Sequence, residues 1–218
     1  MKTSPFILVA LLASASFAPA AVFTDGNFLD SEWTMTTFPT SATGQFTERI
    51  ASGGNPGAYK RVATINNNFT YNAHLRAFMT YDPAASGAIT SLDWSIDFKN
   101  FNAFGLGQGY GIVLSQGGTL YRGSFFATGL AGGWQTTSQT GLTAANFTEG
   151  ISGAANPNFT ASGAPITFGF MTSNGNAATI DIGYDNYRVD IASVPEPATL
   201  ATLSLGILAV RRRKRATN

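Results

Sequence analysis

Leu92-Asp93-Trp94-Ser95-Ile96-Asp97-Phe98-Lys99 alternates apolar and polar side chains without a break. Successive side chains of a strand point to opposite faces, so a strict period of two puts Leu92, Trp94, Ile96 and Phe98 on a core face and the others in water. A sheet with one wet face is antiparallel, because parallel sheets are covered on both sides. The surrounding chain repeats the pattern. Tyr110, Ile112 and Leu114 alternate, as do Ile166, Phe168 and Phe170, and then Ile180, Ile182 and Tyr184. Tyr187, Val189 and Ile191 alternate out of phase with that last set, which predicts a β-bulge at Asp185-Asn186. Weaker strands are expected at Trp33–Phe38, Phe46–Ala51, Tyr59–Ile65, Ala73–Tyr81, Thr119–Phe126 and Leu130–Ser138. Turn signals separate them, among them Asp25-Gly26-Asn27, Gly53-Gly54-Asn55-Pro56-Gly57, Gln116-Gly117-Gly118 and Ser173-Asn174-Gly175-Asn176. Ten to twelve short strands with no long helix between them predict an all-β fold, a single antiparallel β-sandwich of jelly-roll type.

Composition agrees. Gly, Ser, Thr, Asn and Phe are abundant and Lys and Glu are scarce, which suits turns and strands. Cys is absent, so no disulfide framework, thiolate chemistry or lipid-modified cysteine is available. Between the two ends of the chain lie seven cations and 11 anions, a net charge of −4. A weakly acidic body without a basic stripe argues against nucleic acid.

The ends have a different character. Lys2 is followed by the apolar stretch Phe6–Phe17 and by Ala18-Pro19-Ala20, small residues suited to signal peptidase. The expectation is a signal helix in residues 1–20, cleaved after Ala20 or Ala21, then a sandwich domain over 21–192 and a separate tail over 193–218. The tail reads Val194-Pro195-Glu196-Pro197, then a hydrophobic helix Ala198–Val210, then Arg211-Arg212-Arg213-Lys214-Arg215. The prolines hold the chain extended, and the cations stay on the cytoplasmic side of a bilayer. Thirteen helical residues span about 20 Å against a hydrocarbon core of about 30 Å, which is short for a permanent anchor. A transient stop-transfer segment, a retained short anchor and a core helix are the three possibilities.

Pro-Glu-Pro, a short hydrophobic helix and a basic cluster, in that order at the C-terminus, resemble the PEP-CTERM sorting signal of Gram-negative bacteria. The resemblance implies export across the inner membrane, transient insertion through 198–210, recognition by an exosortase near Pro-Glu-Pro, and delivery to the cell surface or medium. It favours the transient segment, and it places the body in the exopolysaccharide layer as a structural or adhesive protein.

Two further stretches, Gly54-Asn55-Pro56-Gly57 and Tyr184-Asp185-Asn186-Tyr187-Arg188-Val189, resemble the first and last strands of secreted jelly-roll modules of the carbohydrate-binding and laminin-G-like kind. Such modules often hold a structural calcium between an opening loop and the last strand. Calcium takes six to eight oxygens, and the resemblance points to Asp25, Asp30 and Asp185 as its ligands, with Asp185-Asn186 bonding its own backbone as the alternative. Sugar binding calls for an aromatic platform with polar groups around it. Tyr110, Tyr121, Arg122 and Trp134 are the candidates, against a core role for each aromatic. Tyr121 and Trp134 clustered and exposed would mark a defined carbohydrate site; buried, they would leave a structural body.

Catalysis finds little support. The one histidine, His74, lies in an expected strand with no Gly-x-Ser-x-Gly elbow to partner it, and zinc needs several His or Cys ligands. Asp93 with Asp97, and Asp181 with Asp185, are spaced four apart on polar faces and are expected to be solvated carboxylates, not a hydrolytic pair. Three Asn-Phe-Thr triplets, at Asn68, Asn146 and Asn158, match the glycosylation sequon but are expected to be turn residues beside a core Phe.

Overall fold

The structure, a computed structural model, describes residues 21–38, 44–66, 69–102, 108–129, 132–150, 153–175 and 178–194. The expected signal helix, its cleavage site at Ala18 and Ala20, and the sorting tail from Pro195 onward lie outside these residues.

Among the described residues thirteen strands form two antiparallel sheets. They are β1 Ala21–Asp25, β2 Trp33–Phe38, β3 Gln45–Gly54, β4 Gly57–Asn66, β5 Thr70–Tyr81, β6 Ile89–Asn100 and β7 Gly109–Gln116, followed by β8 Thr119–Arg122, β9 Phe126–Ala127, β10 Gln135–Leu142, β11 Thr148–Glu149, β12 Ile166–Asn174 and β13 Ala178–Ser193. The six-stranded sheet runs β10-β6-β13-β4-β3, with β1 also on β13; the seven-stranded sheet runs β11-β8-β7-β12-β5-β2, with β9 on β7. Among the described residues the helical content is one four-residue helix, α1 Pro83–Ser86, and two three-residue 3-10 turns. The fold is therefore the all-β, two-sheet sandwich that the alternation predicts.

The alternating residues meet between the sheets. Leu92, Trp94, Ile96 and Phe98 of β6 pack with Ile112 and Leu114 of β7, Phe168 and Phe170 of β12, and Ile182, Tyr184, Tyr187 and Val189 of β13. Each such side chain contributes about 1.5–3 kcal/mol by leaving water. The register of β13 against β6 shifts between Asp185 and Arg188, and Asn186 adopts φ 47°. This bulge is the one the phase change predicts: it lets both Tyr184 and Tyr187 face inward.

One part of the interior is polar. His74 stacks on Phe170 with ring centroids 4.5 Å apart and meets the Thr172 hydroxyl at 3.3 Å. Burial, reinforced by the charge of Lys60, pushes the His74 pKa down to about 3, so the ring is neutral at physiological pH. Nearby, Tyr184 Oη donates to Gln108 Oε1 and Gln108 Nε2 donates to Asn174 Oδ1, at 2.8 and 2.9 Å.

Local departures have local causes. The strand expected over Thr119–Phe126 breaks after Arg122, where the chain crosses the outer face of β7. A Cβ on Gly111 would lie 2.3 Å from Ser124 O, so the crossing needs glycine there. The strand expected at Leu130–Ser138 forms later, as β10. Of the three sequons, Asn68 lies outside the described residues. Asn146 and Asn158 are turn residues beside the buried Phe147 and Phe159; Asn146 accepts from Thr143 N, and Asn158 from Thr160 N.

Candidate functional site

Val62 of β4 faces the core, so Tyr59, Arg61, Ala63 and Ile65 project from the outer face of the six-stranded sheet. On the neighbouring strand β13, Ile182 and Tyr184 point inward and Gly183 points out. Gly183 pairs with Arg61 on one side and Lys99 of β6 on the other. A Cβ there would sit 2.9 Å from both Trp134 Cη2 and Tyr59 Cδ2, so the missing side chain is the space in which the two rings meet. Tyr59 and Trp134 contact edge to face at 5.4 Å, and Phe101 joins Tyr59 at 5.8 Å. Trp134 Nε1 donates to Gly53 O at 3.1 Å, which holds the indole on the sheet.

Charged groups border this ridge. Arg61 grips Asp181 with two hydrogen bonds, of 2.9 and 2.6 Å, and donates to Glu48 at 2.9 Å. These carboxylates raise the arginine's already high pKa. The same guanidinium lies over Phe46 at 5.5 Å, and Lys99 Nζ lies over Phe101 at 5.2 Å. Burial, then the charge of Asp181, raises the Tyr59 phenol. Phe46, Ile65 and Phe101 remain exposed. The result is an outward surface of aromatic and aliphatic groups with donors and acceptors at its margins.

Beyond the ridge the β3–β4 turn folds over two buried carboxylates. Asn55 N donates to Asp185 Oδ2 at 2.5 Å, and Asn55 Nδ2 to Asp97 Oδ2 at 3.0 Å. Asn186 Nδ2 donates to Asp97 Oδ2 at 2.7 Å and to Asn55 O; Thr136 Oγ1 donates to Asp97 Oδ1 at 2.5 Å. Burial raises the Asp185 pKa, the Asn55 and Asn186 N–H groups oppose the rise, and the charges of Asp97 and Asp25 add to it.

The four aromatic and basic candidates do not converge. Tyr110 is 1% exposed in the core, with its hydroxyl 2.5 Å from Thr137 Oγ1, and cannot be a surface platform. Its place follows from its phase with Ile112 and Leu114. Tyr121 packs partly buried against the core, and Arg122 lies over Phe125 at 5.3 Å, both on the seven-stranded sheet. Trp134 alone reaches the ridge. Tyr59, Phe101 and Arg61 went unrecognised, and Asp181, expected to be a solvated carboxylate, is bound by Arg61. Phase with Val62 turns Lys60 inward, where it is buried and bonded to Asp30 at 2.6 Å, and turns Tyr59 outward, where Trp134 and Phe101 cover it to 9% exposure.

The expected calcium set does not assemble either. Asp25 accepts from Asn27 N, Phe28 N and Trp33 Nε1, and pairs with Arg76 Nε at 3.0 Å. Asp30 accepts from Lys60 Nζ and Arg49 N, and Asp185 from Asn55 N and Asn186 N. All six carboxylate oxygens hold N–H donors, and among the described residues no group of three His, Cys, Asp or Glu could hold a metal ion.

The acid–base residues are equally committed. His74 is in the core, Asp181 is held by Arg61, and Asp93 caps Gly141 N at 2.8 Å.

Residues 193–215 match the PEP-CTERM protein-sorting motif. The chain carries this sorting motif. The motif marks exported proteins that an exosortase recognises on their way to the cell surface or medium. Among the described residues no helix is long and apolar enough to cross a membrane. No curated protein matches the chain. Among solved structures it is similar to a family 11 carbohydrate-binding module from Clostridium thermocellum in complex with a mixed-linked tetrasaccharide, at 10% identity and TM-score 0.49, covering 80% of this chain and 98% of that one. It is also similar to the C-terminal family 22 module of Clostridium thermocellum Xyn10B, at 11% identity and TM-score 0.47, covering 78% and 93%. A third is the CBM22-1 xylan-binding domain of Paenibacillus barcinonensis Xyn10C, at 7% identity and TM-score 0.44, covering 84% and 99%.

Proposed function

We propose that this PEP-CTERM protein loses residues 1–20 to signal peptidase and inserts transiently through 198–210. An exosortase then processes it near Val194-Pro195-Glu196-Pro197, with Arg211, Arg212 and Arg213 held at the cytoplasmic face. The sandwich over 21–192 then serves as a non-catalytic structural or adhesive component of the exopolysaccharide layer, and it meets polysaccharide on the outer face of the six-stranded sheet. One observation carries the adhesive part. Tyr59, Trp134 and Phe101 form an outward ridge bordered by Arg61–Asp181 and Lys99, an apolar platform with polar groups at its margin.

Two measurements test this. The intact mass of the protein from the host's surface and medium should correspond to a chain beginning near Ala21 and ending near Val194–Pro197, with any glycan added. A mass running to Asn218 would make it a membrane-held protein. Affinity electrophoresis in gels containing the host's exopolysaccharide should retard the wild type, and Trp134→Ala should lose at least about tenfold in affinity, the scale of one stacking contact. Equal retardation of both would move the contact elsewhere, and free migration of the wild type would leave a purely structural body.

A second reading, a carbohydrate-binding module with a structural calcium, draws on Asp97 and Asp185. Two buried carboxylates bound by neutral donors form a negative site, though Asp25, Asp30 and Asp185 would have to exchange N–H donors for the ion.

A further inference from the structure

From Gly123 to Thr148 the chain contains no charged residue and no proline. That interval includes β10, which ends the six-stranded sheet; among the described residues it pairs only with β6. In an antiparallel ladder each residue directs its N–H and C=O to one side, so half of those on β10 point away from β6. Gln135, Thr136, Ser138 and Thr140 are exposed, and the register stays regular from Gln135 to Gln139 before it shifts ahead of Leu142. β10 is also fixed in place: Thr136 is tied to Asp97, Thr137 to Tyr110, and Gly141 N to Asp93.

Most other sheet edges are marked by charge, irregular register or shortness. Native edges avoid adventitious pairing through charge, bulges or shortness. β3, at the far edge of the same sheet, carries Glu48 and Arg49 and loses register between Ile50 and Gly54. β2 is uncharged but two residues shorter than β10, and it follows a turn that carries Asp30 and Glu32. β11 is two residues long. Among the described residues β10 is the longest edge strand without a charge; β1 and β2 have five and six residues against its eight.

We infer that β10 is a self-association edge: Gln135–Thr140 pairs antiparallel with the same segment of a second copy, about a two-fold axis near Thr137 and Ser138, and joins two six-stranded sheets into one. The occupant follows from charge. A two-fold axis sets each residue opposite another from the same short segment, and like charges opposite one another destabilise a ladder. This segment has none. Thr, Ser and Gln then meet their own kind, pairs that hydrogen-bond well across strands.

The absence of cysteine supplies the test. In the mature protein from the host, Ser138→Cys introduces the only thiol, so any disulfide is between molecules. Mild oxidation should convert most of the Ser138→Cys protein into a covalent dimer, while Thr47→Cys on β3 stays largely monomeric. Sedimentation velocity up to about 1 mM should show a wild-type dimer that Ser138→Lys weakens at least tenfold without change in Tm. Wild type that stays monomeric throughout, or a dimer equally strong with Ser138→Lys, overturns the inference. Should Ser138→Lys fail to fold, the two cysteine variants decide alone: equal cross-linking at both positions overturns it. Chains of many copies would replace the two-fold pairing with β10-to-β3 stacking and also overturn it.

Discussion

Two acidic sites neutralise buried carboxylates by different means. At the end of β1, Asp25 is held by a cation and an indole: Arg76 bridges it to Glu32, and Trp33 Nε1 donates to it at 2.8 Å. At the bulge of β13, Asp185 and Asp97 are held by neutral groups, the Asn55 and Asn186 amides and N–H groups and the Thr136 hydroxyl. Only the first site matches charge with charge. The second leaves two carboxylates facing each other through amides; burial raises the Asp185 pKa, and the charge of Asp97 adds to the rise. A site balanced by a cation fails when the cation goes; a site balanced by several dipoles gives up its stabilisation in parts.

The comparison breaks most visibly at Arg76. Arg76→Ala leaves Asp25 buried and without its counter-charge, and should cost about 3–5 kcal/mol of unfolding free energy in urea. Asn55→Ala removes one amide bond to Asp97 while Asn186 and Thr136 keep theirs, so about 1–2 kcal/mol is expected. Equal losses would mean that both sites rest on the same kind of balance.

Acid should separate the sites, once the histidine is accounted for. The His74 pKa is depressed from 6.5 to about 3 in the folded protein. The unfolded chain therefore takes up the proton first. Stability is complete above about pH 6.5 and falls as the pH drops towards 3, by on the order of a few kcal/mol. The raised Asp185 has the opposite sign: the folded state holds its proton more tightly, so stability grows as pH falls through its folded pKa. The lowered Asp30 again loses stability as pH falls. His74→Phe, which keeps a ring against Phe170, should flatten the acid limb of a urea-midpoint profile. An unchanged profile would show that the carboxylates, not the interior ring, govern acid unfolding.

How much of this was legible depended on whether neighbours in space were neighbours in sequence. β6 and the β13 bulge were readable because each carries its own alternation, and Tyr110 carried the core phase of its strand although its ring suggested a binding role. Lys60 faces in and Tyr59 faces out, against their residue types, because β4 runs between the Asp30 carboxylate on one side and the Trp134 ring on the other. Both contacts come from distant parts of the chain. The ridge needs β4, the end of β6, a bare Gly183 on β13 and the approach to β10, and no local window of sequence contains all four. The acid pair was half legible: Asp185 was marked by the bulge, but its partner Asp97 read as a solvated carboxylate because the turn that covers it comes from Asn55, 42 residues away.

The smallest effect expected is that of calcium. The three carboxylates that resemblance to jelly-roll modules nominates have every oxygen engaged by an N–H group, and an N–H donor cannot share a lone pair with a cation that needs six to eight oxygens. For the ion to bind all three, the Asn55 turn would have to lift from Asp185, Arg76 to leave Asp25 and Lys60 to leave Asp30, undoing the balance of both acidic sites at once. Millimolar calcium should therefore leave the Tm where a chelator leaves it. A calcium-dependent rise that EDTA reverses, and that Asp185→Asn abolishes but Asp30→Asn does not, would show that the amide-held site alone accepts the ion. That outcome would deepen the contrast between the sites, because a carboxylate pair held by neutral donors keeps the negative charge that draws a cation, while Asp25 has already given its charge to Arg76.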